Sequence, residues 1–426
     1  MTEQQRVMSA SNEASLIERF SRDIALRALA SLQHGYLTLT ENGCVVGEFG
    51  RKTDALHARI DVQHPRMYRR FLLAGDIGAG ESFIDKDWTT PDLLSVIRVF
   101  VQNLDAMDAM SQRYGWVTWP LQKLTFLARR NSKRNAKQNI LSHYDLGNEL
   151  YSRFLDSRMQ YSSAVYPTPD TSLEAAQVHK LQRLCDMLDI QPGDHVVEIG
   201  TGWGGLAIYM AQHYDCHVTT TTISDAQLAY AKARVKKLGL QDKVTLLNRD
   251  YRDLDGQFDK LISVEMIEAV GKQYLPSFFK QCSRLLKPQG RMVLQAITIA
   301  DQRIKRYNRD VDFIQQHVFP GGYLPSNELL TRLTRQHTDM VVRQIDDSGL
   351  DYAHTLADWR TAFNSKQQEL STLGYDDRFA RFWNYYLCYC EGGFTERSVS
   401  AVQLAASKPA DKGALRTQLN VSAPTN

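Results

Sequence analysis

The chain has 426 residues, 43% of them hydrophobic and 23% charged, with a formal net charge of +3 at pH 7. That length allows two domains and a substantial core, and the composition is that of an ordinary globular protein. So small a positive excess argues against a nucleic-acid binder, and no apolar run approaches the roughly 20 residues that span a bilayer. The N-terminus lacks the basic start and apolar stretch of a signal peptide, so a cytoplasmic protein touching membranes only from outside is expected. Cys44, Cys185, Cys216, Cys282, Cys388 and Cys390 are scattered without a C-x-x-C pair. That pattern speaks for reduced buried thiols rather than a metal site or a disulfide framework.

Residues before about Ser15 are polar and expected to fray. LIERFSRDIALRALASL has helical apolar spacing, and YLTLTENGCVVGEFG alternates around Asn42-Gly43, a hairpin signal. ALHARIDV reads as a further strand. In the stretch 69–104 a Gly-rich turn is expected, then a helix opened by Thr90 and Pro91. Gly75, Gly78 and Gly80 could pass for a phosphate loop, but no Lys-Ser/Thr follows, and tight backbone geometry is the simpler use. Residues 1–122 thus read as a small α+β domain.

The bridge 123–139, KLTFLARRNSKRNAKQN, carries Lys123, Arg129, Arg130, Lys133, Arg134 and Lys137 with no acid among them. It reads either as a solvated linker or as a patch drawn to anionic headgroups, each basic residue near the surface contributing about 1 kcal/mol. Phe126 and its neighbouring leucines would then insert as shallow anchors. No aromatic-basic platform for stacked bases is evident.

The catalytic region is expected over 140–406. It opens on HYDLGNELYSRFLD and MQYSSAVY, followed by the amphipathic stretch SLEAAQVHKLQRLCDML. VVEIGTGWGG (196–205) then has the form of a buried parallel strand running into a glycine-rich turn and a helix. This is how an α/β sheet lets its backbone approach a nucleotide-like ligand. A second strand ends near Thr222, Ser224, Asp225 and Gln227, where a dinucleotide fold would place a ribose-binding acid. A third ends at Asp250 and Tyr251, and a fourth precedes Glu265 and Glu268. The latter two are one helical turn apart if a helix has begun, so they could face the same way. LLKPQGRMVLQAITI reads as a helix end, a Pro-Gly turn and a fifth strand. A long insertion, roughly 300–380, holds Tyr307, Phe313, Phe319, Tyr323, Tyr352, Trp359 and Phe363, which suits an apolar pocket as well as plain core. Residues 407–426 are polar and read as a disordered tail.

The strand-by-strand pattern resembles class I S-adenosylmethionine (SAM) methyltransferases. HYDLGNELYSRFLD, MQYSSAVY, EIGTGWGG, SVEMIEAVG and FPGGYLPS are similar to one family, the cyclopropane-fatty-acyl-phospholipid synthases, and the likeness runs from about Phe71 to about Phe394. The resemblance implies an α/β fold: a Rossmann-like class I methyltransferase sheet beside a smaller N-terminal α+β domain of sterol-carrier-like character. That domain is associated in the family with lipid handling and dimerisation, so a homodimer is implied. The implied cosubstrate is SAM, contacted by Tyr144, Tyr161, Ser162, Glu198, Gly200, Gly202, Thr222, Gln227, Asp250 and Tyr251. A plain strand-end turn is the other reading of Asp250. The implied substrates are unsaturated phospholipid acyl chains, reached by peripheral contact with anionic membrane at its inner face, and nucleic acid is not expected.

In the family, methyl transfer to a cis double bond leaves a carbocation, and loss of a proton from the new methyl closes a three-membered ring. The base is thought to be a bicarbonate ion held by Glu, His and Tyr. The matching positions here are Glu268, Gln295 in place of His, and Tyr386, with Ser163 in place of the usual Cys. Gln295 can still donate a hydrogen bond to an anion, though without charge. Two other readings stay open: methylation without ring closure, giving methyl-branched or methylene chains, and a lipid-binding protein without catalysis. A nucleic-acid methyltransferase is disfavoured, because no Asn/Asp-Pro-Pro-Tyr follows the fourth strand to hold an extruded base.

Overall fold

The computed structural model describes residues 16–109 and 147–413, which form two compact units. The basic bridge and Tyr144 lie outside the described residues, as do the first fifteen residues and most of the tail. The first unit takes 1–128, 309–318 and 360–398, and the second takes 129–308, 319–359 and 399–426.

In the first unit, helix α1 (Leu16–Leu29) precedes strands β1 (Tyr36–Glu41), β2 (Cys44–Gly50) and β3 (His57–Val62). Helix α2 (Arg66–Ile84), strand β4 (Trp88–Thr89) and helix α3 (Leu93–Gln102) follow, and the sheet order is β2-β1-β3-β4. The hairpin falls where expected: Glu41 pairs with Cys44, and Asn42 and Gly43 both take positive φ, 50° and 78°. The glycine-rich stretch does not form a turn between elements. Gly75, Gly78 and Gly80 lie within α2, which kinks at Gly75 (φ 55°, ψ −128°). A side chain on Gly78 would strike the Arg70 carbonyl across that kink, and one on Gly80 would strike the rings of Phe313 and Tyr385. Close approach therefore accounts for both. Thr90 and Pro91 precede α3, but its cap is Asp92, whose carboxylate accepts the Ser95 N–H at 3.2 Å.

In the second unit, helix α4 (Leu173–Leu188) leads into strand β5 (His195–Ile199), helix α5 (Gly205–His213), strand β6 (His217–Thr222), helix α6 (Asp225–Lys237) and strand β7 (Val244–Asn248). Then come strand β8 (Phe258–Val264), helix α7 (Leu275–Leu285), strand β9 (Leu286–Ile299), helix α8 (Asn327–His337), strand β10 (Val341–Asp347), helix α9 (Gly349–Ser365), whose residues from Arg360 on are counted with the first unit, and strand β11 (Val399–Ser407). The sheet order is β10-β11-β9-β8-β5-β6-β7. Five strands run parallel, and β11 runs antiparallel to both β9 and β10. Alternation sends Val196, Ile262 and Val293 into one apolar layer and Val197, Leu261 and Leu294 into the other. The Pro-Gly turn expected near 288–290 is absorbed into β9: Leu286 pairs with Phe258 and Arg291 with Lys260, so the residues between them bulge.

The stretch 300–380 is divided between the two units. Phe313 and Phe363 belong to the first unit, whereas Tyr307, Phe319, Tyr323, Tyr352 and Trp359 belong to the second. No described helix is long and apolar enough to cross a membrane, and no described cluster of His, Cys, Asp or Glu could hold a metal ion.

Candidate active site at the carboxyl edge of the seven-stranded sheet

Strand order reverses at β5, which has β6 on one side and β8 on the other. Loops leaving the carboxyl ends of strands on the two sides of such a point diverge and leave a crevice, where open α/β sheets bind ligands. Four loops converge here: the glycine turn after β5, Thr222–Gln227 after β6, Asp250–Tyr251 after β7, and Glu265–Glu268 after β8.

The glycine turn is held by its neighbour strand, since the N–H groups of Gly200 and Thr201 both donate to the Thr221 carbonyl, at 3.1 and 3.0 Å. Gly200 and Gly202 have φ of 104° and 53°, in the left-handed region that other residues occupy at a cost. No atom lies within 4 Å of the place a side chain on Gly202 would take, so the backbone there is open to a ligand. Glu198, 3% exposed, accepts the Thr220 hydroxyl at 2.5 Å. Burial pushes its carboxyl up to about 8, against the pull of Thr220 and Lys180.

After β6, the Thr222 hydroxyl donates to Gln227 Oε1 at 3.0 Å, and the Gln227 amide nitrogen has no partner among the described residues. After β7, Asp250 caps the turn Tyr251–Asp253 and accepts Arg252 Nε at 2.8 Å and Nη2 at 2.5 Å. Its carboxylate is thus engaged locally by Arg252. The Tyr251 ring meets Phe278 edge-on at 5.4 Å.

The segment 160–163 forms another wall. Tyr161 stacks on Trp359 at 5.3 Å and meets Tyr151 edge-on at 5.1 Å. The Ser162 hydroxyl accepts from Lys180 Nζ at 2.8 Å, and Ser163 N–H donates to Glu265 Oε1 at 2.8 Å.

The two glutamates after β8 differ in their surroundings. Glu265 sits at φ 48° and accepts three hydrogen bonds: from Ser163 N–H, from Gln295 Nε2 at 2.9 Å, and from the Tyr352 hydroxyl at 2.8 Å. Burial raises its pKa, and the three donors oppose the rise. Glu268 lies on the short turn Ile267–Ala269, and its Oε1 accepts the Ile297 N–H at 2.5 Å. Its Oε2 is shielded from water and has no hydrogen-bond partner among the described residues. Burial, and then the charge of Glu265, push the Glu268 carboxyl up to about 8.

Gln295 departs from its expected role. Both amide hydrogens are engaged, by Glu265 and by the Ser163 carbonyl at 3.1 Å, while its oxygen accepts Gln403 Nε2 at 3.0 Å. A 1%-exposed amide so committed has no hydrogen left for an anion. Gln295 therefore does not fit the bicarbonate-holding role that the resemblance implies, and it serves instead to fix Glu265. Ser163 turns its hydroxyl to the Ala164 carbonyl at 2.9 Å and meets Glu265 through its backbone. Tyr386, 5% exposed and edge-on to Trp383 at 5.1 Å, belongs to the first unit.

Lys180 and Gln403 escaped the sequence reading, which took Tyr352 only as one aromatic of the 300–380 stretch and not as a donor to Glu265. Lys180 alone left a signal: a cation on the apolar face of an amphipathic helix, in line with Ala176, Leu181 and Leu184.

Residues present at this edge fit SAM: an open, left-handed glycine turn for the amino-acid end, hydroxyl and amide groups after β6 for ribose, and buried carboxylates suited to a sulfonium. Sheet order and site together define a class I SAM-dependent methyltransferase. Comparison with known proteins narrows the class. Residues 131–404 match the family model for mycolic acid cyclopropane synthetase. The chain is 39% identical to the tuberculostearic acid methyltransferase UfaA1 of Mycobacterium tuberculosis, over 76% of this chain and 77% of that one. It is 36% identical to the cyclopropane-fatty-acyl-phospholipid synthase of Escherichia coli K12, over 84% of this chain and 89% of that one. Among solved structures, the mycolic acid cyclopropane synthase CmaA1 with SAH and CTAB matches at a TM-score of 0.60 and 25% identity, covering 64% of this chain and 98% of that one. The chain belongs to the mycolic acid cyclopropane synthetase family.

Proposed function

We propose that this enzyme transfers a one-carbon unit from SAM to the cis double bond of unsaturated acyl chains in membrane phospholipids, forming cyclopropane fatty acids. SAM supplies a methyl made electrophilic by its sulfonium. Everything else falls to the chain: hold an alkene in line, exclude water, tolerate a cation and remove one proton. The observation that carries the reading is Glu268, whose Oε2 is shielded, without a partner among the described residues and therefore available to a proton. Ring closure needs such an acceptor, because a C–H bond of the new methyl breaks and its electron pair forms the last ring bond. Tyr161, Trp359, Tyr151 and Tyr352 supply aromatic faces on the same unit, which stabilise a cation without trapping it.

The remaining assignments belong to the same proposal. Residues 1–122 handle lipid and pair two copies, the bridge 123–139 docks on anionic membrane, and 140–406 carry catalysis. Of the site residues, Tyr144, Tyr161, Ser162, Glu198, Gly200, Gly202, Thr222, Gln227, Asp250 and Tyr251 contact SAM, and Glu268 and Tyr386 serve the chemistry.

A second reading, methylation ending in a methyl-branched or methylene chain, is favoured by the commitment of Gln295 to Glu265 and by the similarity to a tuberculostearic acid methyltransferase. Mass spectrometry of acyl chains after reaction with unsaturated phospholipid vesicles tests both. Gain of one CH2 with loss of the alkene supports the ring. Gain of CH2 with an alkene retained gives the methylene product, and no change in any unsaturated chain removes the lipid reading.

A further inference from the structure

Lys180 is fully buried on α4, yet nothing in the chemistry above employs it. Its Nζ donates to Gln160 Oε1 at 2.9 Å and to the Ser162 hydroxyl at 2.8 Å. Each acceptor leads to the cofactor edge. The Gln160 amide lies so close over Gly205, first residue of α5 after the glycine turn, that a side chain at 205 would collide with it. Ser162 stands between Tyr161, stacked on Trp359, and Ser163, whose N–H binds Glu265. Gln177, one turn before Lys180 on the same helix, secures the Ser162 carbonyl at 2.9 Å. One ammonium group thus ties the 160–163 wall to the glycine turn.

We infer that Lys180 is a positioning residue of the SAM site, holding Gln160 and Ser162 in register with the glycine turn and setting a positive charge among the neighbouring carboxylates. The groups acting on it electrostatically are Glu265 after β8, Asp156 in the loop before Gln160, and Glu198 on β5. A buried ammonium costs much unless it is paired and hydrogen-bonded, and three acids about it are the compensation. Burial lowers its pKa to about 8, so it is largely charged at neutral pH. In turn its charge lowers the pKa of both Glu198 and Glu265.

The test is calorimetric titration of the full chain with SAM and, separately, with S-adenosylhomocysteine, which lacks the sulfonium charge. K180M keeps length and apolar volume but removes donors and charge. It should weaken both ligands about tenfold or more, the scale of losing hydrogen bonds from a charged group. A spacer without electrostatic function would stop there. Loss of the charge should also raise the pKa of Glu198 and Glu265, so the pH below which SAM binding weakens should move upward in K180M. S-adenosylhomocysteine binding should not follow that shift, and K180R should retain the wild-type profile. Should K180M fail to fold, S162A removes a single acceptor, and a several-fold loss of SAM affinity is expected from it. Wild-type affinity in K180M or in S162A, or weaker binding in K180M with no pH displacement specific to SAM, would overturn the inference.

Discussion

Replacing Glu268 by Gln isolates the charge of the residue on which ring closure depends. The amide oxygen can keep the Ile297 N–H, now at 2.5 Å, while an NH2 group takes the place of the unpartnered Oε2. Removing a general base typically lowers rates by about 10²–10⁴, and turnover in E268Q should fall within that range while SAM affinity changes little. Stability moves the other way. The folded carboxyl titrates near 8 against 4.5 ordinarily, so the wild-type fold loses stability as pH rises through that window. At about 1.4 kcal/mol per tenfold change in proton affinity the ceiling is about 5 kcal/mol. Solvent screening of a residue that is only half-buried brings the expected gain of E268Q to ~1–3 kcal/mol above pH 8. Below pH 4.5 both proteins carry a neutral group and should melt alike. The assays are turnover on unsaturated phospholipid vesicles with product analysis, and thermal melts from pH 4 to 9. A cation deprived of its base should lose another proton or capture water, so methylene or hydroxy-methyl chains should appear. Full activity with pure cyclopropane product would refute the assignment of Glu268, and a melting difference independent of pH would refute the account of its burial.

Gly202→Val places a β-branched side chain at φ 53° in the open face of the turn, and calorimetry should show SAM binding abolished while the circular dichroism of the sheet persists. Gln295→Ala strips one donor from Glu265 and takes the Gln295 side chain away from the Ser163 carbonyl and from Gln403 Nε2, for an expected loss of about 1–3 kcal/mol in denaturant titration. Added bicarbonate should leave the turnover of the wild-type enzyme unchanged, because Gln295 has no hydrogen to offer the ion. Reversing Arg129, Arg130, Lys133 and Arg134 to Glu should weaken sedimentation with anionic vesicles, most strongly at low salt, since exposed charges are screened within about 8–10 Å at physiological ionic strength. Sedimentation that does not change would make the bridge a linker only.

Local chemistry was legible in the chain. Val196, Val197 and Ile199 before Gly200 and Gly202 can form little but a buried strand meeting a left-handed turn, and Asn42-Gly43 can hardly be other than a hairpin. Both depend on residues adjacent in sequence, where φ preference and apolar run length act directly. The glycines at 75, 78 and 80 misled because glycine marks close approach as well as turns, and only the folded unit shows that Phe313 and Tyr385 lie against Gly80. Gln295 misled for a related reason: an amide can serve an anion or a carboxylate, and its partners lie 30, 108 and 132 residues away. The seventh-strand position of β10 and the antiparallel insertion of β11 beside β9 are likewise long-range pairings with no local signature. Burial of Lys180 between Gln160 and Ser162 exists only once α4 has packed on the sheet. The sequence by itself determined the cofactor turn and the identity of the acids. Tertiary structure decided which acid is satisfied, Glu265, and which is left with an open oxygen, Glu268, because hydrogen-bond satisfaction belongs to the whole packed neighbourhood and not to any one segment.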